Sequence, residues 1–275
     1  MPKIKVCAVQ FNVMPEFTGN LGRVDGFFRE ANKRNCDIIC FPELFLTGPL
    51  DKSRFSDKIP DISKKHFSRL SREYGIFSVM GSIISRIGGF LYNTSYLFDD
   101  NGDILGNYCK NHLVQKSEAR HFKPGNSVPV FRTRIGNIGI QICRDLLYPE
   151  ITRKMMLKEA DIVFCPSYWC SKSSSYSRIY NTKYFKNKVP DEVTALASAR
   201  AIESEVAFVY VNAAGKSDKG VLLGKTQIAL PFYGTTDIIK NNNEGVLVKE
   251  INLSMVNDAR KVYKIEKDIK NYYRK

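Results

Sequence analysis

Short apolar runs that end at a proline alternate along this chain with stretches of amphipathic helix. Residues 37–41 form one run, which ends at Pro42, and residues 161–165 form another, which ends at Pro166. Runs of this length are typical of strands buried on both faces of a sheet. Apolar residues recur at helical spacing before the first run, at Leu21, Val24, Phe27, Phe28 and Ala31. The alternation predicts an α/β fold in which helices cover a sheet.

Other segments add strands and hairpins to this layout. Residues 3–11 place Ile4, Val6 and Ala8 on one face of a strand. A turn at residues 99–103 joins two strands of a hairpin, and residues 76–84 form a further strand. Hairpins between crossover helices favour mixed sheets. Because no linker divides the sequence, we predict one domain over residues 1–275.

Two predictions concern the ends of elements. Asp61 is expected to cap a helix that Gly75 closes, since aspartate is a preferred N-cap residue and glycine a preferred C-cap residue. The chain is expected to finish in a basic tail from about residue 257.

Seven cysteines, an odd number, are spread through apolar segments of the 275 residues. This pattern favours reduced thiols in a cytoplasmic protein over a disulfide framework. The N-terminus enters a strand pattern at once, without the apolar stretch of a signal peptide. Since the apolar runs are shorter than the ~20 residues that a membrane span needs, no membrane partner is expected. Cys36 and Cys40 would lie about 13 Å apart along a strand, too far to share a metal.

Three strand ends carry reactive side chains. Glu43 follows the run that ends at Pro42, Lys110 follows a hairpin strand, and Cys143 ends the apolar segment that begins at Gly139. Ligands bind at the carboxyl ends of strands in open α/β sheets. A thiol needs a base or a cation nearby to become a thiolate. The three residues together would therefore supply a base, a cation and a nucleophile, although each alone is weak support.

The segments around these residues resemble motifs of the nitrilase (carbon–nitrogen hydrolase) superfamily. The matching segments, in family order over residues 3 to 250, are FPELFLTG, YCKNHL with EARHFKPG, GIQICRD with YPE, DIVFCPSYW, ASARAIESEVAFVYVNAAG and GKTQIALPFYG. The resemblance implies a four-layer α-β-β-α sandwich with mixed sheets, assembled as a homodimer or larger homo-oligomer. It implies neither a metal nor an organic cofactor.

The resemblance also implies roles for single residues. Glu43 matches the general base, Lys110 the catalytic lysine and Cys143 the nucleophile of the family. Glu118 matches a second glutamate that orients the lysine and the substrate. The backbone N–H of Arg144 would join the lysine in stabilising an oxyanion.

Three further residues are predicted to contact substrate. Tyr168 and Trp169 follow the strand that contributes to the family's pocket wall. Arg144 stands where many family members have an aromatic residue, and it has two interpretations. It either binds a substrate carboxylate, which a guanidinium does in bidentate fashion, or forms an ion pair with Asp145 or Glu150. A second departure, Lys225-Thr226, replaces a small residue and a serine and leaves the catalytic set untouched.

The predicted activity is hydrolysis of a non-peptide C–N bond in a small molecule, an amide or an N-carbamoyl compound, through a cysteine thioester. Nitrile hydrolysis and acyl transfer to an amine are alternatives on the same scaffold. His112 and His121 are read as structural or pocket-lining, and Cys109 is expected to point away from the site.

The net charge of +14 raises nucleic-acid binding as a further alternative. Residues 168–188 carry five basic residues and no acid, interleaved with tyrosines. No nucleic-acid-binding motif accompanies them, so nucleic acid is not the expected partner. The segment is instead predicted to border the pocket entrance and attract anionic substrates.

Overall fold

A computed structural model describes residues 3–49, 56–115, 117–173, 189–217 and 220–272. The strands are β1 (Lys3–Gln10), β2 (Ile38–Cys40), β3 (Phe77–Val79), β4 (Ile83–Ile87), β5 (Phe90–Phe98), β6 (Ile104–Cys109), β7 (Val130–Thr133), β8 (Gly136–Ile140), β9 (Ile162–Ser167), β10 (Cys170–Ser173), β11 (Ala207–Asn212), β12 (Lys216–Ser217), β13 (Gly220–Leu222), β14 (Gln227–Leu230), β15 (Gly234–Ile238) and β16 (Gly245–Asn252). The helices are α1 (Phe17–Lys33), α2 (Ile59–Tyr74), α3 (Pro149–Met156), α4 (Val189–Glu203), α5 (Ser254–Tyr263) and α6 (Ile265–Tyr272).

Two mixed sheets lie at the centre of the fold. The first has the order β16-β1-β2-β3-β5-β4, with β6 paired to β5, and the second has the order β15-β14-β11-β9-β8-β7. β1, β2 and β3 run parallel, as do β8, β9 and β11, and hairpin strands extend both sheets antiparallel. A small third sheet joins β10, β13 and β12. The predicted mixed sheets are confirmed.

The two faces of β1 contact different apolar clusters. Ile4, Val6 and Ala8 pack in a cluster with inward residues of the second sheet and with α3 and α4. Cys7 and Val9 pack instead with α1 and α2. The period of two along β1 therefore separates a sheet–sheet layer from a helix layer. This arrangement confirms the predicted four-layer α-β-β-α sandwich.

The segment predicted as one strand over residues 76–84 is divided between β3 and β4. Gly81 interrupts it with a φ of +60°, a left-handed conformation that favours glycine. A Cβ at this position would lie 2.0 Å from the carbonyl oxygen of Pro42. The break allows Ser82 N–H to donate to that oxygen at 3.2 Å. It thereby fixes the loop that follows β2.

Two other predictions about element ends are corrected or refined. The proposal that Asp61 caps a helix is wrong, because α2 begins at Ile59 with Pro60 in its first turn. Asp61 pairs with Lys64 at 2.9 Å instead. Gly75 closes the helix in a left-handed conformation, as predicted. The tail predicted from about residue 257 forms most of α5 and α6.

None of the helices in the described ranges combines the length and the apolar character that crossing a bilayer demands.

Gly81→Ala should destabilise the protein more than Gly88→Ala. Both glycines have positive φ, which costs a residue with a Cβ about 1–2 kcal/mol. Only at Gly81 does the new methyl group also meet backbone atoms, whereas nothing lies within 4 Å at Gly88. We expect an additional loss of about 1–3 kcal/mol for Gly81→Ala in urea denaturation. Equal losses for the two variants would contradict the close approach.

Candidate active site

The three sequence-predicted residues converge in one buried cluster. Glu43 lies in the loop after β2, Lys110 directly follows β6, and Cys143 begins a short 3-10 helix (Cys143–Leu147) after β8. Their exposures are 2%, 1% and 8%. The cluster therefore joins one element of the second sheet to two elements of the first.

Lys110 lies between two carboxylates. Its Nζ donates to Glu43 Oε1 at 2.8 Å and to Glu118 Oε1 at 2.9 Å. Burial lowers the pKa of Lys110, but the nearby Glu43, Glu118 and Cys143 together raise it well above its usual value. The lysine is therefore an ammonium throughout the physiological pH range.

Glu43 interacts with four groups, which are Lys110, Asn93, the Tyr168 backbone and the Cys143 thiol. Besides Lys110, Asn93 Nδ2 donates to Oε1 at 2.8 Å, and the backbone N–H of Tyr168 donates to Oε2 at 2.9 Å. Burial raises the pKa of Glu43, Glu118 raises it further, and Lys110 together with a hydrogen bond from Cys143 opposes the rise. This carboxylate contacts the thiol and accepts protons more readily than an ordinary glutamate.

The loop that carries Glu43 is anchored by aromatic packing. Phe41 and Phe45 flank the glutamate, and their ring centroids lie 4.9 Å apart in the helix-side core. Phe67 of α2 packs edge-on against Phe41 at 5.3 Å. The FPELF sequence therefore buries its two outer aromatic residues and leaves the carboxylate among polar partners.

Cys143 has an unusual backbone conformation for a residue with a side chain. Its φ is +47°, a strained value that occurs disproportionately at functional sites. Burial and the neighbouring Glu43 raise the pKa of the thiol well above its usual value, although Lys110 and the Tyr168 backbone oppose this. The resting group is therefore a thiol that needs a base before it becomes a nucleophile.

Sequence reasoning missed Asn93, a buried residue of β5. Its Nδ2 donates to Glu43 Oε1 at 2.8 Å and to Glu118 Oε1 at 3.2 Å, so it bridges both carboxylates. The backbone carbonyl oxygen of Asn93 accepts a hydrogen bond from the backbone N–H of Lys110 at 2.9 Å. The signal available in the sequence was a polar Asn-Thr-Ser run inside an otherwise apolar strand.

Asp145 joins the nucleophile turn to the lysine segment. One oxygen accepts the backbone N–H of His112 at 2.9 Å and lies 2.8 Å from Nδ1 of the same residue. The other oxygen accepts hydrogen bonds from the Tyr108 hydroxyl at 2.7 Å and from the Ile142 backbone N–H at 3.0 Å. His112 thus helps to connect the nucleophile turn with the lysine segment, while His121 is exposed.

Arg144 does not form the ion pair considered from the sequence. Asp145 is occupied by the four donors above, and Glu150 is exposed on α3. Arg144 Nη2 instead contacts Tyr148 Oη at 3.4 Å, with the guanidinium 5.9 Å from the centre of the Tyr148 ring. Among the described residues, no carboxylate pairs with this guanidinium.

Three other residues considered from the sequence, Tyr168, Trp169 and Cys109, differ in how they relate to the cluster. Tyr168 contributes its backbone to Glu43 and its side chain is half-buried. Trp169 is buried in the core, and its backbone is held by Asn212 at 2.8 Å. Cys109 contacts Thr94 and Asn107 and none of the cluster's groups. Most of the basic segment predicted at the pocket entrance, residues 174–188, lies outside the described ranges.

The arrangement joins a thiol, a carboxylate in contact with it and an immobilised ammonium. It can deprotonate the thiol, and it can stabilise negative charge that develops on an atom bound to sulfur. Within the described parts of the chain, no group of three or more His, Cys, Asp or Glu residues is arranged to hold a metal ion.

Comparison with known proteins gives relatives over nearly the full length. A probable nitrilase of Schizosaccharomyces pombe is 27% identical over 94% of this chain and 89% of its own. An omega-amidase of Xenopus tropicalis is 26% identical over 94% of this chain and 92% of its own. The crystal structure of a carbon–nitrogen hydrolase from Helicobacter pylori G27 matches with a TM-score of 0.86, at 19% identity, over 97% of this chain and 94% of that one. The sequence model of the carbon–nitrogen hydrolases matches residues 5–261, and the chain therefore belongs to the carbon–nitrogen hydrolase family.

Proposed function

We propose that this protein hydrolyses the C–N bond of a small amide or N-carbamoyl compound through a thioester on Cys143. The observation that carries the proposal is the buried Lys110 ammonium, shared by Glu43 and Glu118 beside the Cys143 thiol. A charged cluster of this kind, placed beside a thiol at a strained backbone position, is suited to acyl transfer. The names of the relatives, a nitrilase and an omega-amidase, support the same class of chemistry.

In the first half of the reaction, Glu43 accepts the thiol proton and the sulfur attacks the substrate carbonyl carbon. The C=O π electrons move to oxygen, and Lys110 with the Arg144 N–H stabilises the resulting oxyanion. Protonated Glu43 then donates its proton to the substrate nitrogen. The C–N bond breaks, ammonia leaves from a primary amide, and the acyl group remains on sulfur.

In the second half, Glu43 deprotonates a water molecule that attacks the thioester carbon. The C–S bond breaks, the carboxylic acid leaves, and the proton on Glu43 returns to sulfur. Because burial raises the pKa of Glu43 above its usual value, the same group is better suited than an ordinary glutamate both to accept and to donate a proton.

Glu118 and Asn93 act on the positions of the other two groups. Glu118 Oε1 accepts a hydrogen bond from Lys110, and its Oε2 accepts the Val114 backbone N–H at 2.8 Å. Asn93 holds both carboxylates through one amide nitrogen. We assign both as positioning residues.

We place the activity in the cytoplasm, because all seven cysteines are free thiols.

The first test is ammonia release from neutral amides, monoamides of dicarboxylic acids, N-carbamoyl compounds and nitriles. Cys143→Ala should lower activity by about 10⁴-fold or more, since the nucleophile is lost. Cys109→Ala, which removes a half-buried thiol outside the cluster, is the matched control and should retain activity. Mass spectrometry after acid quenching should detect the acyl group on wild type only.

The outcomes separate the alternatives. Activity that survives in Cys143→Ala would exclude this thiol as nucleophile. Release from nitriles alone would identify a nitrilase. Acyl-enzyme that accumulates in water and is consumed when hydroxylamine is added would identify a transferase.

The pH profile should reflect the raised pKa of Glu43. Catalysis needs the carboxylate, so kcat/KM should fall as the pH drops through a midpoint above about 4.3, the ordinary value for glutamate. On the alkaline side, the raised pKa of Lys110 should preserve the ammonium, so no loss is expected up to about pH 9. An acidic midpoint at or below that of a free glutamate would contradict the assignment of Glu43 as base.

Asn93→Ala should destabilise the protein and reduce turnover. The substitution removes hydrogen bonds to two buried carboxylates, and one hydrogen bond to a charged group contributes about 1.5–3 kcal/mol. We expect a loss of at least that size in the free energy of unfolding from urea denaturation. Asn107→Ala, at an exposed position on β6, should change it by less than about 0.5 kcal/mol. Similar values for the two variants would exclude the bridging role.

A further inference from the structure

Arg144 lies on a stack of rings that borders the buried cluster. The rings of His112 and Tyr148 are 3.5 Å apart with an angle of 7° between their planes. His112 is two residues from Lys110, and its position is fixed by Asp145. The Arg144 guanidinium lies 5.9 Å from the centre of the Tyr148 ring and 3.4 Å from its hydroxyl, so Tyr148 of this stack holds it.

The charge of Arg144 is not neutralised by any described residue. Among the described residues, its one polar contact is the neutral Tyr148 hydroxyl, and its Nε is buried without a hydrogen-bond partner. A partly desolvated guanidinium gains most from a carboxylate, which its planar array of N–H donors binds in bidentate fashion. The residue that follows Cys143 therefore carries a guanidinium suited to binding an anion.

The charge of the buried cluster explains why a second cation would help to bind an acidic substrate. Two carboxylates, Glu43 and Glu118, face the single ammonium of Lys110, so the cluster carries a net charge of about −1 while the thiol is protonated. A substrate with its own carboxylate would be repelled unless another cation lay near its far end. Arg144 is the residue after the nucleophile, which puts its backbone about 3.8 Å from that of Cys143.

We propose that Arg144 binds a carboxylate of the substrate, so that the substrates are short amides or N-carbamoyl compounds that carry a carboxylate a few bonds from the attacked carbon. The inference rests on the proposed hydrolase function and narrows it to a substrate class. The carboxylate can belong to the acyl half, as in the monoamide of a dicarboxylic acid, or to the amine half, as in an N-carbamoyl amino acid. Matched substrates distinguish these two sources.

The experiment compares pairs that differ by a carboxylate in place of a methyl group. Succinamate is paired with butyramide, and N-carbamoyl-β-alanine with propylurea. Wild type should favour one acidic member by about tenfold or more in kcat/KM. Arg144→Met should reduce that preference by about 10–100-fold, because one charge-assisted bidentate contact is lost. Arg144→Lys should keep part of it, because charge remains without the planar fork.

Arg153→Met is the matched control. Arg153 is half-buried on α3, and its Nε is also without a hydrogen-bond partner, so the variant removes the same charge and a similar side chain. It should leave the preference unchanged. A preference that survives in Arg144→Met, or equal losses on the acidic and neutral substrates, would overturn the proposal, the latter by indicating a structural role for Arg144.

Binding measurements separate failure of this inference from failure of the proposed function. Wild type should bind succinate or N-carbamoyl-β-alanine more tightly than butyrate or propylurea in calorimetry, and Arg144→Met should lose the difference. If no amide is hydrolysed but this difference is found, the hydrolase proposal fails and the carboxylate site stands. If amides are hydrolysed and neither binding nor kcat/KM depends on Arg144, the carboxylate site fails and the hydrolase proposal stands.

Discussion

The ammonium of Lys110 is the charge on which the rest of the site depends. Moving one such ion from water into a protein interior costs several kcal/mol, and the cost is offset only by well-placed counter-charges. Glu43 and Glu118 supply them, both within 3 Å of Nζ. Each carboxylate is in turn buried and needs donors, which come from Asn93, the Tyr168 backbone and the Val114 backbone. Removing one member therefore leaves an unpaired charge on another.

The fold brings these groups together because its two sheets are packed face to face. Glu43 and Lys110 come from elements of the first sheet, and Cys143 comes from the second. Two features position the loops that carry these side chains. Gly81 lets β3 and β4 diverge around the loop that carries Glu43, and Asp145 bonds the nucleophile turn to the lysine segment. Both lie outside the cluster, yet the position of the Glu43 carboxylate depends on Gly81, and the relative positions of the thiol and the ammonium depend on Asp145.

The strands, the helices and the three reactive strand ends followed from local patterns, the four layers and Glu118 followed from the resemblance to the family, and the missed residues depend on tertiary contacts. Period-two alternation in β1 and the apolar run before Glu43 reflect burial, which the sequence records directly. The break at Gly81 has no local signal, because its cause is the approach of Pro42 from another segment. Asn93 was hidden in the same way, since an asparagine in a strand reads as a solvent-facing residue until its two carboxylate partners are known. The sequence could not decide between the two roles of Arg144, because the hydrogen bonds that occupy Asp145 come from Tyr108 and His112.

Lys110 of the cluster and Arg144, the residue after the nucleophile, are two cations that differ in how their charges are satisfied. Lys110 is enclosed by carboxylates that no other residue can replace without leaving a buried charge. Arg144 is attached through one weak contact to a tyrosine hydroxyl, so a change there leaves no carboxylate unpaired. The groups of the proposed bond cleavage are therefore tightly constrained by electrostatics, while the proposed carboxylate site at Arg144 is not. A family that keeps one mechanism can vary its substrates at such a position, and the aromatic-to-arginine departure at Arg144 fits that division.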